Sequence, residues 1–493
     1  MKKQPQPLSY GYAGKAGNIL LTALLIITLI LAFLKASSAM TYQPSKLDNA
    51  LSAEISKQIS QSKLPLNFPL SVRRFYAQRQ YNANWVANPA DADKTWSAML
   101  MIDCVLQFGL NHADYHPTEL LYSKLHDILE RPNQVPLAEQ ARFDIMLTDA
   151  MLSFTNNLHY GKYNPLFAGA KIDKGNLAFN AIDVINNAMQ SKDLMRAVLN
   201  VQPRSKAYQN MQARLHVIAG VQTGDCYEFP EAEVRKIALN MERLRWAALD
   251  TDNFIHVNIP SAMLSFYHNG AVDSFRVIIG KPGTPTPTLN SAITHFTSSP
   301  EWRVPQSIFT KELLPKAIRD TGYLRSNRYN IYNNAGMLIT PDRDYLKAIL
   351  KTPKRYYATQ TSGCDNALGQ LIFKFPNLYE IYIHDTPDQS LFFKNNRVFS
   401  HGCLRVQHAA VLAGLLLKND KAENAITVME RDIAKGIKKD FRLKTPVPIA
   451  VTYITCEVVG GAVINYPDPY GLDKNLDMLM YKKDDPTLNI GQN

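Results

Sequence analysis

Phe254-Ile255-His256-Val257-Asn258-Ile259-Pro260 is where the chain changes period. Upstream, apolar residues recur every three or four positions. From here they alternate, which predicts a strand. Ala262 to Tyr267 and Ser274 to Ile279 read the same way, with His268-Asn269-Gly270 as the hairpin turn between them. Gly280-Lys281-Pro282-Gly283 is a loop. A β domain therefore begins near residue 251.

Before that point, residues 41–250 predict helices. Ser45 to Ser62 is amphipathic and polar, and Pro65 to Pro69 interrupts it before Val72-Arg73-Arg74-Phe75-Tyr76 starts the next apolar pattern. Leu120 to Leu129, Leu137 to Leu158, Val184 to Val201 and Glu231 to Ala248 carry helical spacing. Proline turns punctuate them at Pro117, Pro165 and Pro203. No chemically pointed cluster stands out, and the region reads as a helical scaffold. After the first strands, residues 306–362 depart from the β pattern, with helical pieces at Lys311 to Arg319 and around Tyr345 to Lys351. An irregular insertion of that length suits a lid. Strands resume at Gln370 to Phe375 and Leu378 to His384; a helix follows from His408 to Leu417, then a strand from Val447 to Thr455. The end of the chain, 476–493, reads as a polar, peripheral tail. The fold class is α+β: a helical scaffold, then a mostly β domain at 251–475 with the lid inserted.

The chain has 493 residues, which suggests two or three domains. Its formal net charge of +11 suits an anionic neighbour or a surface of scattered lysines. No Lys/Arg block is dense enough to act as a nucleic-acid footprint. Residues 1–18 are basic through Lys2, Lys3 and Lys15, and read as cytoplasmic. The segment 19–39 then runs apolar from Ile19 to Leu34 and ends in Ala36-Ser37-Ser38-Ala39. This reads as a signal peptide cleaved after Ala39 or as an uncleaved anchor in the inner membrane; a buried helix is the plain alternative. Both leading readings export the rest of the chain. Cys104, Cys226, Cys364, Cys403 and Cys456 match no zinc spacing. The odd count fits one thiol kept reduced, and equally fits five unpaired thiols.

Ile383-His384-Asp385-Thr386-Pro387 and Ser400-His401-Gly402-Cys403-Leu404-Arg405-Val406 gather a thiol, two imidazoles and a glycine turn. A thiolate is the nucleophilic form of cysteine, and a nearby imidazole forms one. Glycine beside it lets backbone N–H groups aim at an oxyanion. This reads as a thiol acyl-transfer site, with Cys403 as nucleophile and His384 as base, the imidazole oriented by the backbone carbonyl of Asp385. His401, two residues from Cys403, is placed in the pocket or the turn. The bland alternatives are an inert buried thiol and a satisfied core histidine.

These residues resemble the signature of the L,D-transpeptidase family, the YkuD-type catalytic domain. Asn366-Ala367-Leu368-Gly369, Phe373, Phe375-Pro376-Asn377, Tyr382, Asn240-Met241-Glu242-Arg243-Leu244-Arg245-Trp246, Trp302 to Pro305 and Tyr453 to Tyr470 are similar to its large, lid-bearing Gram-negative subgroup. Leu147-Thr148-Asp149-Ala150 and Tyr160-Gly161-Lys162 resemble that subgroup's scaffold domain. The resemblance implies a periplasmic enzyme acting on peptidoglycan. Cys403 would attack a tetrapeptide stem at diaminopimelate, D-alanine would leave, and a neighbouring diaminopimelate amine would resolve the thioester into a 3→3 cross-link. The N–H groups of His401, Gly402 and Cys403 would form the oxyanion hole. Arg405, Tyr382, Ser400, Phe399 and Trp302 are the candidate substrate-binding residues, though Arg405 equally suits a structural salt bridge and the aromatic residues equally suit core. A lid would keep water from the thioester. The resemblance also implies acylation of Cys403 by carbapenems. No metal or cofactor is expected.

The small peptidoglycan-binding module common in this subgroup has no room between Leu215 and Arg235. Relatives with the same signature attach an envelope protein to the wall or release it, and a non-catalytic wall-binding scaffold is the reading from outside enzymology.

Overall fold

The computed structural model describes residues 46–61, 63–87, 91–221, 232–249 and 251–481. The expected signal or anchor segment and Cys226 lie outside the described residues.

The first half is helical: α1 (Lys46–Gln61), α2 (Pro69–Gln78), α3 (Ala92–Asp103), α4 (Tyr122–Glu130), α5 (Leu137–Tyr160), α6 (Gly169–Asp173), α7 (Ala181–Gln190), α8 (Leu194–Leu199), α9 (Lys206–Val221) and α10 (Ala232–Arg245). Helix α5 is buried along most of its length, with Phe143, Leu147, Met151, Phe154 and Leu158 in one core with α1 to α4, α7 and α8. The helix expected over 184–201 is two helices. Ser191-Lys192-Asp193 breaks it, because the Asp193 carboxylate accepts the Arg196 N–H at 2.9 Å and caps α8 instead of continuing α7.

This half holds a buried polar cluster that the sequence did not signal. Asp144 on α5 accepts the N–H groups of Asn84, Trp85 and Val86 and the Tyr76 hydroxyl. One turn on, Thr148 Oγ1 accepts the Trp85 indole N–H at 3.0 Å. Asp149 accepts the N–H groups of Asn67 and Phe68 and lies 2.7 Å from His116 Nε2. These carboxylates anchor chain segments that have no ladder of their own.

The second half is a sheet: β1 (Phe254–Asn258), β2 (Met263–His268), β3 (Ala271–Gly280), β4 (Leu289–Ser298), β9 (Leu371–Lys374), β10 (Ile383–His384), β11 (Val398–Ser400), β12 (Leu404–Val406) and β13 (Lys439–Thr452), with the insertion's β5 to β8 described below. Their order is β11-β3-β12-β10-β9-β4-β13-β1-β2, and a further β2–β3 pairing closes the ring. Ile255, Val257, Phe266, Val277, Phe296, Phe373, Ile383, Leu404 and Ile449 fill its core. The strand expected over 378–384 is only β10. Asn377 turns the chain ahead of it: its side-chain oxygen accepts the Tyr379 and Ile381 N–H groups, and Glu380 sits at φ +55°.

The insertion is a subdomain in its own right. It comprises β5 (Trp302–Arg303), α11 (Gln306–Ile308), a π turn (Phe309–Leu313), α12 (Leu314–Arg319), α13 (Tyr323–Ser326), β6 (Tyr329–Asn333), β7 (Leu338–Ile339), α14 (Arg343–Lys351) and β8 (Tyr356–Gln360). Its four strands form a separate sheet, and Phe309, Leu313, Leu314, Ile331, Leu346 and Ile349 form a separate core. Pro315 has no N–H to donate, and the helix widens into the π turn just before it.

Beyond the turn that follows β10 and β12, α15 (Ala409–Asn419) and α16 (Asn424–Ala434) follow, and β14 (Cys456–Val459) pairs with β15 (Ala462–Asn465). Of the peripheral tail expected at 476–493, the described part, 476–481, is corrected by α17 (Leu472–Met480): Leu476, Met480 and Tyr481 pack on Ala238 and Leu239 of α10. Asp473 pairs with Lys236 and Arg243, and Asp477 with Arg235. The boundary near 250 is likewise a joint, since Met211, Ile237 and Leu244 share one core with Phe254, Ala450 and Ile454. At its centre Glu242 and Arg245 form a fully buried ion pair 3.3 Å apart. Glu242 also accepts the Tyr163 N–H, and Arg245 donates to the Phe108 carbonyl.

Candidate active site

The site is built on two short parallel strands. In β10 and β12, Ile383 pairs with Leu404 and His384 with Arg405, and the Leu404 N–H donates to the Tyr382 carbonyl at 3.0 Å. Side chains alternate across a sheet. Ile381, Ile383, Leu404 and Val406 point into the core, which leaves Tyr382, His384 and Arg405 on the opposite face, while Cys403, just ahead of β12, packs partly against that core. The Tyr382 and His384 rings meet edge to face at 5.7 Å.

Cys403 comes off a turn that only glycine can make, for Gly402 sits at φ +113°. Thr286 Oγ1 donates to the Gly402 carbonyl and accepts the Gly280 N–H, and the Tyr470 hydroxyl accepts the Thr286 N–H. The motif at 366–369 serves the other strand. Asp385 packs so closely on Gly369, at φ +61°, that a Cβ there would lie 2.5 Å from its carboxylate. That carboxylate accepts the Gln370 N–H at 2.9 Å and holds the segment following His384.

His384 Nδ1 donates to the Asp385 carbonyl at 2.5 Å, which directs the lone pair of Nε2 away from that anchor. Burial, aided by the nearby Arg405 charge, lowers the His384 pKa to about 3. Burial also pushes the Cys403 thiol above its ordinary range. Hydrogen bonds from Tyr382 and the Arg405 charge oppose that shift. The resting pair is therefore a neutral thiol and a neutral imidazole. The Tyr382 hydroxyl lies within electrostatic reach of the Cys403 thiol and of the Trp302 side chain at the edge of the insertion; burial and the thiol's charge push its own pKa well up.

The expected pocket residues part company here. Tyr382 acts on the thiol, and Trp302 acts on Tyr382. Arg405 lies on the same face with Asp388 at 3.8 Å, and its buried Nε has no partner among the described residues. Ser400 is corrected: it is buried, donates to the Cys403 carbonyl at 2.5 Å and accepts the Gly402 N–H at 3.2 Å, so its hydroxyl staples the turn and does not face a substrate. The Gly402 N–H is thereby engaged, whereas among the described residues those of His401 and Cys403 have no partner. Phe399 is half-buried in β11. His401 turns outward, its Nε2 2.6 Å from Glu312 Oε1 in the insertion. Sequence reading missed Glu312 and Asp388; Glu312 lies 89 positions from its partner and carries no motif. Among the described residues, no group of His, Cys, Asp and Glu could hold a metal.

Comparison with known proteins places this geometry. Residues 252–449 match the L,D-transpeptidase (YkuD) catalytic domain, and residues 70–215 match a scaffold domain. A Haemophilus influenzae protein provisionally named an L,D-transpeptidase is 27% identical over 426 residues, spanning 84% of this chain and 80% of its own. A solved Ldtfm–avibactam carbamoyl enzyme is 13% identical over 41% of this chain and 49% of its own; its TM-score of 0.18 bears no structural argument. The chain thus carries an L,D-transpeptidase (YkuD) catalytic domain behind a scaffold domain, and that domain makes it a transpeptidase enzyme.

Proposed function

We propose that this enzyme joins peptidoglycan stems through 3→3 links between diaminopimelate residues, by way of a thioester on Cys403. The observation that carries the reading is the pairing of β10 with β12, which sets His384 opposite Arg405, two residues beyond Cys403, with His384 anchored at Nδ1. As Sγ adds to the carbonyl carbon of the third stem residue, His384 Nε2 takes the thiol proton. The oxyanion is received by the unpartnered N–H groups of His401 and Cys403. Collapse breaks the bond to D-alanine, whose amine takes the proton from His384. The diaminopimelate side-chain amine of a second stem then attacks the thioester, gives a proton to His384, and restores the thiol. Arg405 and the insertion, with ten basic against four acidic residues in 306–362, supply positive charge for the stem carboxylates. Wall synthesis outside the cytoplasm fits the basic, then apolar, N-terminal sequence, and we place the catalytic half in the periplasm, anchored by 19–34 or released after Ala39.

The test is to incubate the protein and Cys403→Ala with disaccharide-tetrapeptide muropeptides and weigh the products. A dimer that has lost D-alanine, absent with the variant, is the expected result. Tripeptide alone would replace cross-linking with hydrolysis or a protein acceptor, and no product from either sample would sink the reading.

A further inference from the structure

We infer that Glu312 is a positioning residue for this reaction: it ties the inserted subdomain to the turn carrying the nucleophile, so that closing the insertion and aligning the oxyanion donors become one event. The inference rests on the reaction proposed above. Glu312 lies in the π turn Phe309–Leu313. A widened turn of this kind is rare and is found mostly where function uses it. Phe309 and Leu313 face the insertion's own core, and Glu312 is left on the outside, its side chain 40% exposed. Its Oε1 then meets His401 Nε2 at 2.6 Å.

His401 is not an ordinary surface residue. Its N–H is one of the two unpartnered donors at the turn, and it directly precedes Gly402, whose φ of +113° permits a swing no other residue would. Holding the His401 ring fixes one end of that turn. On the other side Trp302, in β5, and Tyr382 act on one another beside Cys403. The insertion thus touches the nucleophile's surroundings twice, from β5 and from the π turn. Tyr329 joins the two, since its ring lies 6.4 Å from Trp302 and the Glu312 charge acts on its hydroxyl. The Trp302 link is buried chemistry. The Glu312 link is a half-exposed, charge-bearing contact between two elements that share no core, which is the kind of contact that opens and closes without unfolding either side. When it parts, water gains the thioester and an oxyanion donor loses its anchor.

The experiment uses the full chain with Glu312→Ala and Glu312→Gln. Three quantities are read: the dimer-to-tripeptide ratio with muropeptides, the rate of Cys403 labelling by a bulky maleimide without substrate, followed by peptide mass, and Tm. For Glu312→Ala the ratio should fall about fivefold and labelling should quicken about fivefold, as expected for one hydrogen bond to a charged, partly exposed group. Tm should hold, and Glu312→Gln should lie between. An unchanged ratio with unchanged labelling overturns the inference, and so does a lowered Tm with an unchanged ratio. If the unmodified protein yields neither product, the cross-linking reading has failed, and the labelling arm still decides whether Glu312 closes the insertion.

Discussion

Two buried polar clusters, one on α5 and one on β10 and β12, use burial in opposite ways. On α5, Asp144 receives three backbone N–H groups and a tyrosine hydroxyl, all between 2.6 and 3.1 Å. Its neighbour Thr148 is shared by Tyr76 and Trp85. On β10 and β12, burial leaves work undone. Among the described residues the Arg405 Nε and two turn N–H groups have no partner, and thiol and imidazole are both held neutral. Low dielectric strengthens a satisfied group's contacts and destabilises the charge on an unsatisfied one. The first cluster is architecture; the second is poised for a charge that only the reaction brings.

The strongest way to break this contrast is His384→Gln. If His384 is the base, turnover should fall by roughly 10²- to 10⁴-fold, measured as Cys403 acylation. Stability should hold at neutral pH. The sign follows from the lowered pKa of about 3. Between there and the ordinary imidazole value, the unfolded chain binds a proton the folded chain refuses. The neutral histidine's stability is therefore full above that ordinary value and lost as pH falls toward about 3. The glutamine variant should lose less stability over that acid window. An acylation rate near that of the parent would return His384 to the class of satisfied core residues.

Asp144→Ala is the mirror image. It strands two buried N–H groups and one part-buried one, at a cost of about 3 kcal/mol in urea unfolding, while the folded fraction should label at Cys403 at the parent rate. A chemical defect in the folded fraction would mean the two clusters are coupled, and the buried Glu242–Arg245 pair at the joint would be the place to look.

How much of this was readable in the sequence follows the same division. Periodicity exposed α1, α5, α10 and the first three strands, because each buries a regular face. It failed where side chains override the period: Asp193 cutting one expected helix into α7 and α8, and Asn377 folding most of an expected strand into a turn. Helix α17 looked like a tail because its charges, Asp473 and Asp477, are spent on Arg235, Lys236 and Arg243 more than two hundred residues away. Cys403, His384 and Gly402 stood out since their chemistry is local. Ser400 was misplaced since a hydroxyl beside a nucleophile looks the same in sequence whether it faces substrate or staples a turn. The links from Glu312 and Trp302 left no local mark, being made between an insertion and a turn that only the fold brings together.

The finest test of the contrast is Tyr382→Phe, which keeps the ring and removes one hydrogen. Tyr382 is itself buried and bonded, like Tyr76, so by packing alone it would belong with the α5 cluster. What sets it apart is its neighbour: Tyr76 donates to a carboxylate already held by backbone, whereas Tyr382 acts on a thiol whose charge appears only when it reacts. Burial drives the Cys403 pKa up and the Tyr382 hydrogen bonds push it down. Losing the phenolic donor should move the midpoint of Cys403 alkylation to higher pH by about one unit, so the rate near neutrality drops about tenfold. An ion pair formed in advance would instead show a rate that persists into acid. A midpoint that does not move would mean that the phenol merely fills space, and that the donor chain from Trp302 ends at Tyr382 instead of at the sulfur.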